Sequence, residues 1–571
     1  MSAAMIVCLI AATGLLLTAV KWAFLPDRRL PRHRVRQMRI RLRLRLHPGR
    51  GHATALEMWW RWGRFAAFRH AARTRPGTTL GRRLTAPASE HAILLGRAHY
   101  RHGLRLPLDE HAAIFSPPRG GKTGWLASVI LRYPGPVLST TTKHDVYQLT
   151  AAVRARRGPV HVFNPQGVGD VASTFRWNPL DGCEDPAVAI RRADAFTNSV
   201  SHAGVEDSSF WAAKASDYLR AYFHAAALGG YDLRHVARWV SGSFEGEAET
   251  ILSTYPTAAS HLADQLAEMR GEANKTISTV RMTMSRALAF LANPALAVSV
   301  HPEPGESLDI GEFLRSGGTL YLIAESRGEE SPVASLFACL ANEVHHAALL
   351  MGSRMPGSRL DPPLLMALDE VTQICPVPVP SWLADSGGRG VQIITVAHGE
   401  AQLRSRWGHN GARVILDTSG AKIWLPGISD PATLDAASML CGTTAMKEVQ
   451  DWRARRDHQP DYFSRQPIMT PEMVRQLPGR HALIIRGGMS PVIARLPLAW
   501  TDRLYRRARR EHWQPVTAAI GTEAQSGLAG RPAQISDPLA DADPWSWLDT
   551  DPAELPLTFP GDPEDLRGRL W

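Results

Sequence analysis

The sequence predicts an α/β protein built on a mainly parallel β-sheet, and three observations carry that expectation. Short apolar runs alternate with segments of helical spacing through residues 106–185 and again through 301–513. A glycine-rich turn, Ser116-Pro-Pro-Arg-Gly-Gly-Lys-Thr123, joins one such run to one such helix. A second run, Leu364-Leu-Met-Ala-Leu368, ends in the paired carboxylates Asp369 and Glu370. Strands alternating with helices build parallel sheets covered on both faces, and ligands of such sheets bind beyond the carboxyl ends of the strands.

Length and charge bound the function classes. The chain has 571 residues, 44% of them hydrophobic, enough for a large core and more than one domain. A formal net charge of +11 suits a polyanionic partner or a membrane surface. Cys8, Cys183, Cys339, Cys375 and Cys441 lie far apart with no C-x-x-C pair. That spacing argues against a zinc ribbon or a disulfide framework and fits a reducing compartment.

Residues 3–20 form an uncharged, mostly apolar run followed by Lys21 and Trp22. At 1.5 Å per residue such a helix just spans a bilayer, so residues 1–25 are read as a transmembrane anchor. A cleaved signal peptide is the competing reading, but no positive charge precedes the run and no small-x-small site follows it. Arginines crowd the next stretch, from Arg28 to Arg45, which places the rest of the chain in the cytoplasm by the positive-inside rule. Arg39 to Leu46 alternates arginine with aliphatics. Contact with DNA or anionic lipid and a plain topology signal are both compatible with it. Residues 26–105 as a whole read as a basic juxtamembrane linker, with a helix around Trp59, Trp60 and Trp62 and a Pro/Gly-rich loop near Arg75–Pro87.

Residues 106–185 read as the first part of a nucleotide-binding domain. Ala112–Phe115 is a buried strand, and the segment after the loop has apolar residues at helical spacing. Strand, glycine-rich loop and helix together make a phosphate site, because loop N–H groups and the helix dipole point positive potential at an anion. The candidate cradle is Ser116, Pro117, Pro118, Arg119, Gly120, Gly121, Lys122, Thr123 and Gly124, with Lys122 on the phosphates and Thr123 on a metal. The usual pattern G-x-x-x-x-G-K-[ST] starts with glycine, and here Ser116 stands in its place. On the loop alone, a surface turn with an incidental Gly-Lys-Thr is the alternative. Asp369 at the end of its strand would share the Mg²⁺ with Thr123, and Glu370 would polarise the attacking water.

Between these halves, residues 186–300 carry helical periodicity and no convincing strand, which predicts an all-α insertion. The second part of the nucleotide-binding domain, residues 301–513, has apolar strands at Thr319–Ile323, Leu364–Leu368, Val391–Ala397, 421–425 and 481–485. The last segment, residues 514–571, is acidic and rich in Pro, Gly and Asp, a composition that cannot bury enough surface to order itself. Its Trp545, Trp547 and Trp571 suit either a partner-docking peptide or a plain solubilising tail.

The whole constellation resembles the TraG/TraD-type coupling proteins of type IV secretion and conjugation, RecA-like P-loop ATPases related to the FtsK and HerA DNA pumps. The matching pieces are the phosphate loop, the helical insertion, Arg359–Glu370, Gly387-Gly-Arg-Gly390 with its following strand, Gln402–Gly408 and Thr470–Pro478. The resemblance spans roughly residues 1–500. It implies a membrane-anchored homo-hexamer that hydrolyses ATP with Mg²⁺ and delivers DNA, without sequence preference, or relaxase-bound DNA to a secretion channel in the inner membrane. By the same resemblance Lys122 and Thr123 hold ATP–Mg²⁺, Asp369 serves the metal, Glu370 the water, and Arg389 reaches into a neighbour's site. His398 stands where such proteins commonly carry a nucleotide-sensing Gln. A catalytically weak ATP-binding receptor at the channel and an FtsK-like chromosome pump are the alternatives.

Overall fold

The computed structural model describes residues 51–511, apart from 99–101, 201–207, 245, 260, 273, 327–330 and 448–462. The expected anchor, its arginine-rich flank, Cys8 and the acidic tail lie outside the described residues. Among the described residues no helix is long and apolar enough to cross a membrane.

The core is an eleven-stranded sheet. In chain order its strands are β1 (Ala92–Arg97), β2 (Gly103–Pro107), β3 (Ala112–Phe115), β4 (Val137–Thr141) and β5 (Val160–Phe163), then β6 (Thr319–Ile323), β7 (Leu364–Leu368), β8 (Val391–Ala397) and β9 (Ala421–Trp424). A separate antiparallel pair, β10 (Thr443–Lys447) and β11 (Phe463–Pro467), precedes the last two sheet strands, β12 (His481–Arg486) and β13 (Val492–Arg495). Across the sheet the order is β2-β1-β13-β12-β9-β3-β8-β7-β4-β6-β5. From β9 to β5 every pairing is parallel; from β9 to β2 every pairing is antiparallel.

The central strands β3, β8, β7 and β4 are buried at every position. That burial explains why β3 and β7 read as unbroken apolar runs and β8 as a mostly apolar one, with no alternation. The antiparallel edge departs from the sequence expectation. Residues 26–105 were expected to form a linker, yet β1 and β2 pair within that stretch and join the sheet through β13. The second partner of β1, β13, lies some four hundred residues downstream, and a bulge at Leu94/Gly96 breaks the alternation of β1.

Helices cover the sheet. Lys122–Arg132 (α1) follows β3, and Asp145–Arg154 (α2) follows β4. Asp145 is the first residue of its helix, and His144 at the cap position makes no side-chain capping bond. Arg154, at the end of α2, is fully buried. Its guanidinium donates to the carbonyls of Tyr133 (2.7 Å) and Gly135 (2.8 Å) and to the Thr319 hydroxyl (2.7 Å), tying together the chain entering β4 and the start of β6. Between β5 and β6 the described chain runs through successive helices, the longest Ser208–Gly229. The four described cysteines are all free and buried, as small core residues.

Candidate nucleotide-binding site

Three neighbouring strands, β3, β8 and β7, place their carboxyl ends side by side. The loop to Lys122 leaves β3, His398 directly follows β8, and Asp369 and Glu370 follow β7. A parallel sheet therefore gathers residues almost 280 positions apart at one edge, where such sheets bind ligands.

The loop geometry accounts for its residues. Gly121 adopts φ +95°, ψ 11°, a left-handed conformation that a side chain would strain, and an added Cβ there would meet no neighbour. A Cβ on Gly120 would collide with the Ser116 hydroxyl, and one on Gly124 would run into the Trp500 ring. Ser116 has no positive φ, so the glycine that usually opens this pattern is not needed for backbone reasons. It is fully buried, its N–H donates to the Ala397 carbonyl (3.1 Å), and its hydroxyl donates to Pro117 (3.0 Å). Pro117, Pro118 and Arg119 complete the turn, with Arg119 at φ +60°. Lys122 and Thr123 open the eleven-residue α1, whose first N–H groups face the loop.

Lys122 spans to the opposite wall. Its Nζ lies 3.4 Å from Asp369 Oδ1 and forms a short ion pair with Glu370 Oε1. All three side chains are nearly buried. For Lys122, burial opposes the charge, but the two carboxylates outweigh it and raise its pKa. For Asp369 burial wins over Lys122 and raises the carboxyl pKa. For Glu370 burial is overcome by the hydrogen bond from His398 and by Lys122, and the carboxyl is pulled down to about 2. The backbone of Glu370 sits at φ +48°, ψ 39°. A non-glycine residue held there costs of order 1–3 kcal/mol, the kind of strain that clusters at functional sites. Thr140 fixes the adjacent turn by donating its hydroxyl to the Asp369 carbonyl (2.8 Å).

His398 links the two walls. Nδ1 lies 3.0 Å from the Ser116 carbonyl, and Nε2 lies 3.3 Å from Glu370 Oε1. Both partners are acceptors only, so both contacts are satisfied together by the doubly protonated imidazolium alone. The hydrogen bond to Glu370 accordingly raises the His398 pKa against the effect of burial. Gln402, four residues on, accepts the His398 backbone N–H through Oε1 (2.9 Å). The positioning of His398 by Gln402 and Ser116 was not legible from the motif; the signal for Gln402 was its i,i+4 offset in the first turn after the strand.

Arg389 is not brought to this cluster. It precedes β8, at the opposite end of the strand from His398, pairs with Asp385 (3.0 Å) and is half exposed. Seven strand residues separate the two ends by roughly 23 Å. Within one chain Arg389 therefore cannot reach the phosphate loop.

The residues present fit a magnesium nucleotide. Glu370 Oε2 is buried without a hydrogen bond, and Asp369 Oδ1 has only its 3.4 Å ion pair with Lys122, so both have room for a cation or water once Lys122 turns to phosphate. No group of three or more metal-ligating side chains exists among the described residues. Mg²⁺ sites need only one or two protein oxygens beside substrate phosphates.

Fold and site thus define a P-loop nucleotide-binding protein. The chain belongs to the type IV secretory system conjugative DNA transfer family, whose model matches residues 61–523, and is a coupling protein of the TraG/TraD type. Among solved structures it is similar to the bacterial conjugative coupling protein TrwBdeltaN70 in its unbound form. That match has a TM-score of 0.55 at 15% identity and covers 73% of this chain and 90% of that one. Similar too is the plasmid coupling protein TrwB in complex with ADP and Mg²⁺ (TM-score 0.51, 16% identity, 74% and 92% covered). The same holds for its complex with a non-hydrolysable ATP analogue (TM-score 0.51, 16% identity, 73% and 92% covered). At these identities the likeness is one of fold. No curated protein matches the chain.

Proposed function

We propose that this coupling protein is an ATP-hydrolysing DNA translocase, anchored in the inner membrane by its N-terminal run, that delivers DNA or relaxase-bound DNA to a type IV secretion channel. The observation that carries the hydrolytic reading is the convergence of Lys122, Asp369, Glu370 and His398 at the ends of three adjacent strands. Mg·ATP would supply the electrophilic phosphorus and its charge-neutralising ion. The loop N–H groups and α1 would hold the phosphates, with Lys122 exchanging Glu370 for phosphate oxygens. Thr123 and Asp369 would serve the metal. Glu370, freed from Lys122, is the carboxylate positioned to take a proton from water. His398 would report the state of Glu370 to the Ser116 turn. Arg389 would act on the next subunit of a homo-hexameric ring, which accords with its place at the far end of β8.

The test is functional replacement. Cells lacking this chain should lose conjugative DNA transfer and regain it with the wild-type chain but not with Lys122→Ala. Transfer restored to wild-type frequency by Lys122→Ala would sink the motor reading. It would favour a docking receptor that does not need hydrolysis.

A further inference from the structure

Outside the nucleotide site, the described chain opens on an exposed aromatic face. Leu56 is 72% exposed, Trp59 49%, Trp60 46% and Phe65 40%, although a folded chain rarely leaves so many large apolar side chains together in water. They belong to consecutive helical turns, Ala55–Glu57, Met58–Trp62 and Arg64–Thr74, and Leu56 lies at helical spacing from Trp59 and Trp60. Trp62 beside them points inward and is fully buried, so the segment is anchored and its outer face is fixed.

The face is also basic. The Arg69 guanidinium stacks over Trp60 (4.6 Å) and Phe65 (5.3 Å) and donates to the Trp60 carbonyl. Arg64 leads onto the edge strand β2, where Arg105 is crowded by Arg64 and Arg97; burial and these two like charges depress the Arg105 guanidinium to about 10. Arg97 sits directly opposite Arg495 across β1 and β13. Like charges placed opposite one another destabilise a sheet pair. Arg64, Arg97, Arg105 and Arg495 make no ion pair with a described carboxylate. An uncompensated arginine row beside exposed aromatics is charge-complementary to an anionic surface.

We propose that this face, Leu56–Arg69 with the arginines of the β1–β2 edge, seats on the anionic phospholipid headgroups of the bilayer. The proposal rests on the membrane-anchored reading above and adds to it a second contact, made by the folded domain. Two observations favour lipid over a nucleic acid strand. Base stacking needs a free ring face. Here Phe65 stacks on Trp59 (5.8 Å, 3°) and packs against Trp60 (5.2 Å), and Arg69 covers Trp60 and Phe65. Leu56, the most exposed member, has nothing to offer a base, whereas aliphatic, Trp and Arg side chains together are the composition of a membrane–water interface. Position in the chain agrees: the face begins about thirty-five residues after the apolar run of residues 3–20. A chain of that length can keep it within reach of the same bilayer.

The experiment uses the full chain in vesicles of phosphatidylcholine with or without phosphatidylglycerol. A photoreactive benzophenone amino acid replaces Leu56, or in a comparison protein Met439, which is 80% exposed elsewhere. Vesicle flotation and lipid adducts are read together. The expected result is a lipid adduct at position 56 that needs phosphatidylglycerol, is absent at position 439, and falls about ten-fold with Arg64→Glu and Arg97→Glu combined, while flotation is unchanged. A chain that floats yet gives no phosphatidylglycerol-dependent adduct at 56 overturns this proposal and leaves the anchor standing. A chain that fails to float overturns both. Transfer of the label to added DNA, or to the chain's own residues 512–571, also overturns the lipid assignment.

Discussion

His398 and Glu370, at the ends of adjacent strands β8 and β7, face each other at 3.3 Å, and the same imidazole reaches back to the carbonyl of Ser116. The turn that would hold phosphate and the carboxylate that would act on water are thereby joined through one titratable ring. With a glutamine at this position the link would persist at all pH; with histidine it depends on a proton.

That proton sets the first prediction. The folded pKa of His398 is raised above its ordinary value of 6.5. Its contribution to the stability of the nucleotide-free protein is therefore full below pH 6.5 and is lost as the pH rises through the raised value. Glu370 is depressed from 4.5 to about 2, so its contribution is present above 4.5 and disappears as the pH falls toward 2. Melting curves of wild type and His398→Ala, which lacks the link at every pH, should differ most near pH 6 without nucleotide and draw together on the alkaline side. A difference that stays constant through that range would mean that the imidazole is not charged here.

Lys122→Ala and Glu370→Gln should both lose hydrolysis, for different reasons. Lys122 would contact phosphate in the ground state, so its loss should weaken nucleotide binding as well. Glu370→Gln keeps the shape of the site and should still bind nucleotide, with turnover down about 10²–10⁴-fold as for other lost general bases. Equilibrium binding of a fluorescent ATP analogue separates the two. Near-wild-type turnover in both variants would remove the site assignment.

Arg154 tests the account of the sheet. Arg154→Met conserves much of the apolar volume but takes the donor from the Gly135 carbonyl and from the Thr319 hydroxyl, while the Tyr133 carbonyl keeps Arg157 (2.7 Å). Each orphaned buried acceptor costs about 1–3 kcal/mol, so the variant should be destabilised by about 2–4 kcal/mol in chemical denaturation. A loss within about 0.5 kcal/mol would show that the chain entering β4 is held without it.

Arg389 lies too far from its own Lys122 to serve it, so the finger role proposed for it would have to act between subunits. Arg389→Ala should bind ATP and hydrolyse it poorly, since a finger supplied in trans contributes about 10³-fold or more. Mixing it with Lys122→Ala creates interfaces with an intact loop facing an intact Arg389. Activity should partly return on mixing. If mixed assemblies form and none returns, Arg389 is a solvated residue paired with Asp385.

What the sequence made legible follows burial. Strands β3, β7 and β8 are enclosed on both faces, so their apolar runs announce them, and the loop and Asp369–Glu370 are set at their ends. The β1–β2 edge was hidden because its pairing depends on β13, a four-residue strand with an exposed end, and because a bulge interrupts its pattern. The His398–Ser116 contact joins residues 282 positions apart and depends on strand order, which no local pattern carries. Ser116 looked like a defect in the phosphate loop. The backbone makes it tolerable: the left-handed turns fall on Arg119 and Gly121, and the serine is free to fasten the loop to β8.

The most direct test of the central claim is the ATPase rate of the full chain with and without DNA, at several salt concentrations. A DNA-driven motor should hydrolyse ATP faster with DNA of any sequence. The DNA concentration needed should rise steeply with salt, linearly on a log–log plot, because phosphate contacts release counterions. Lys122→Ala should show neither basal nor stimulated activity. Hydrolysis indifferent to DNA at every salt concentration, or stimulation that persists in Lys122→Ala, would contradict the account.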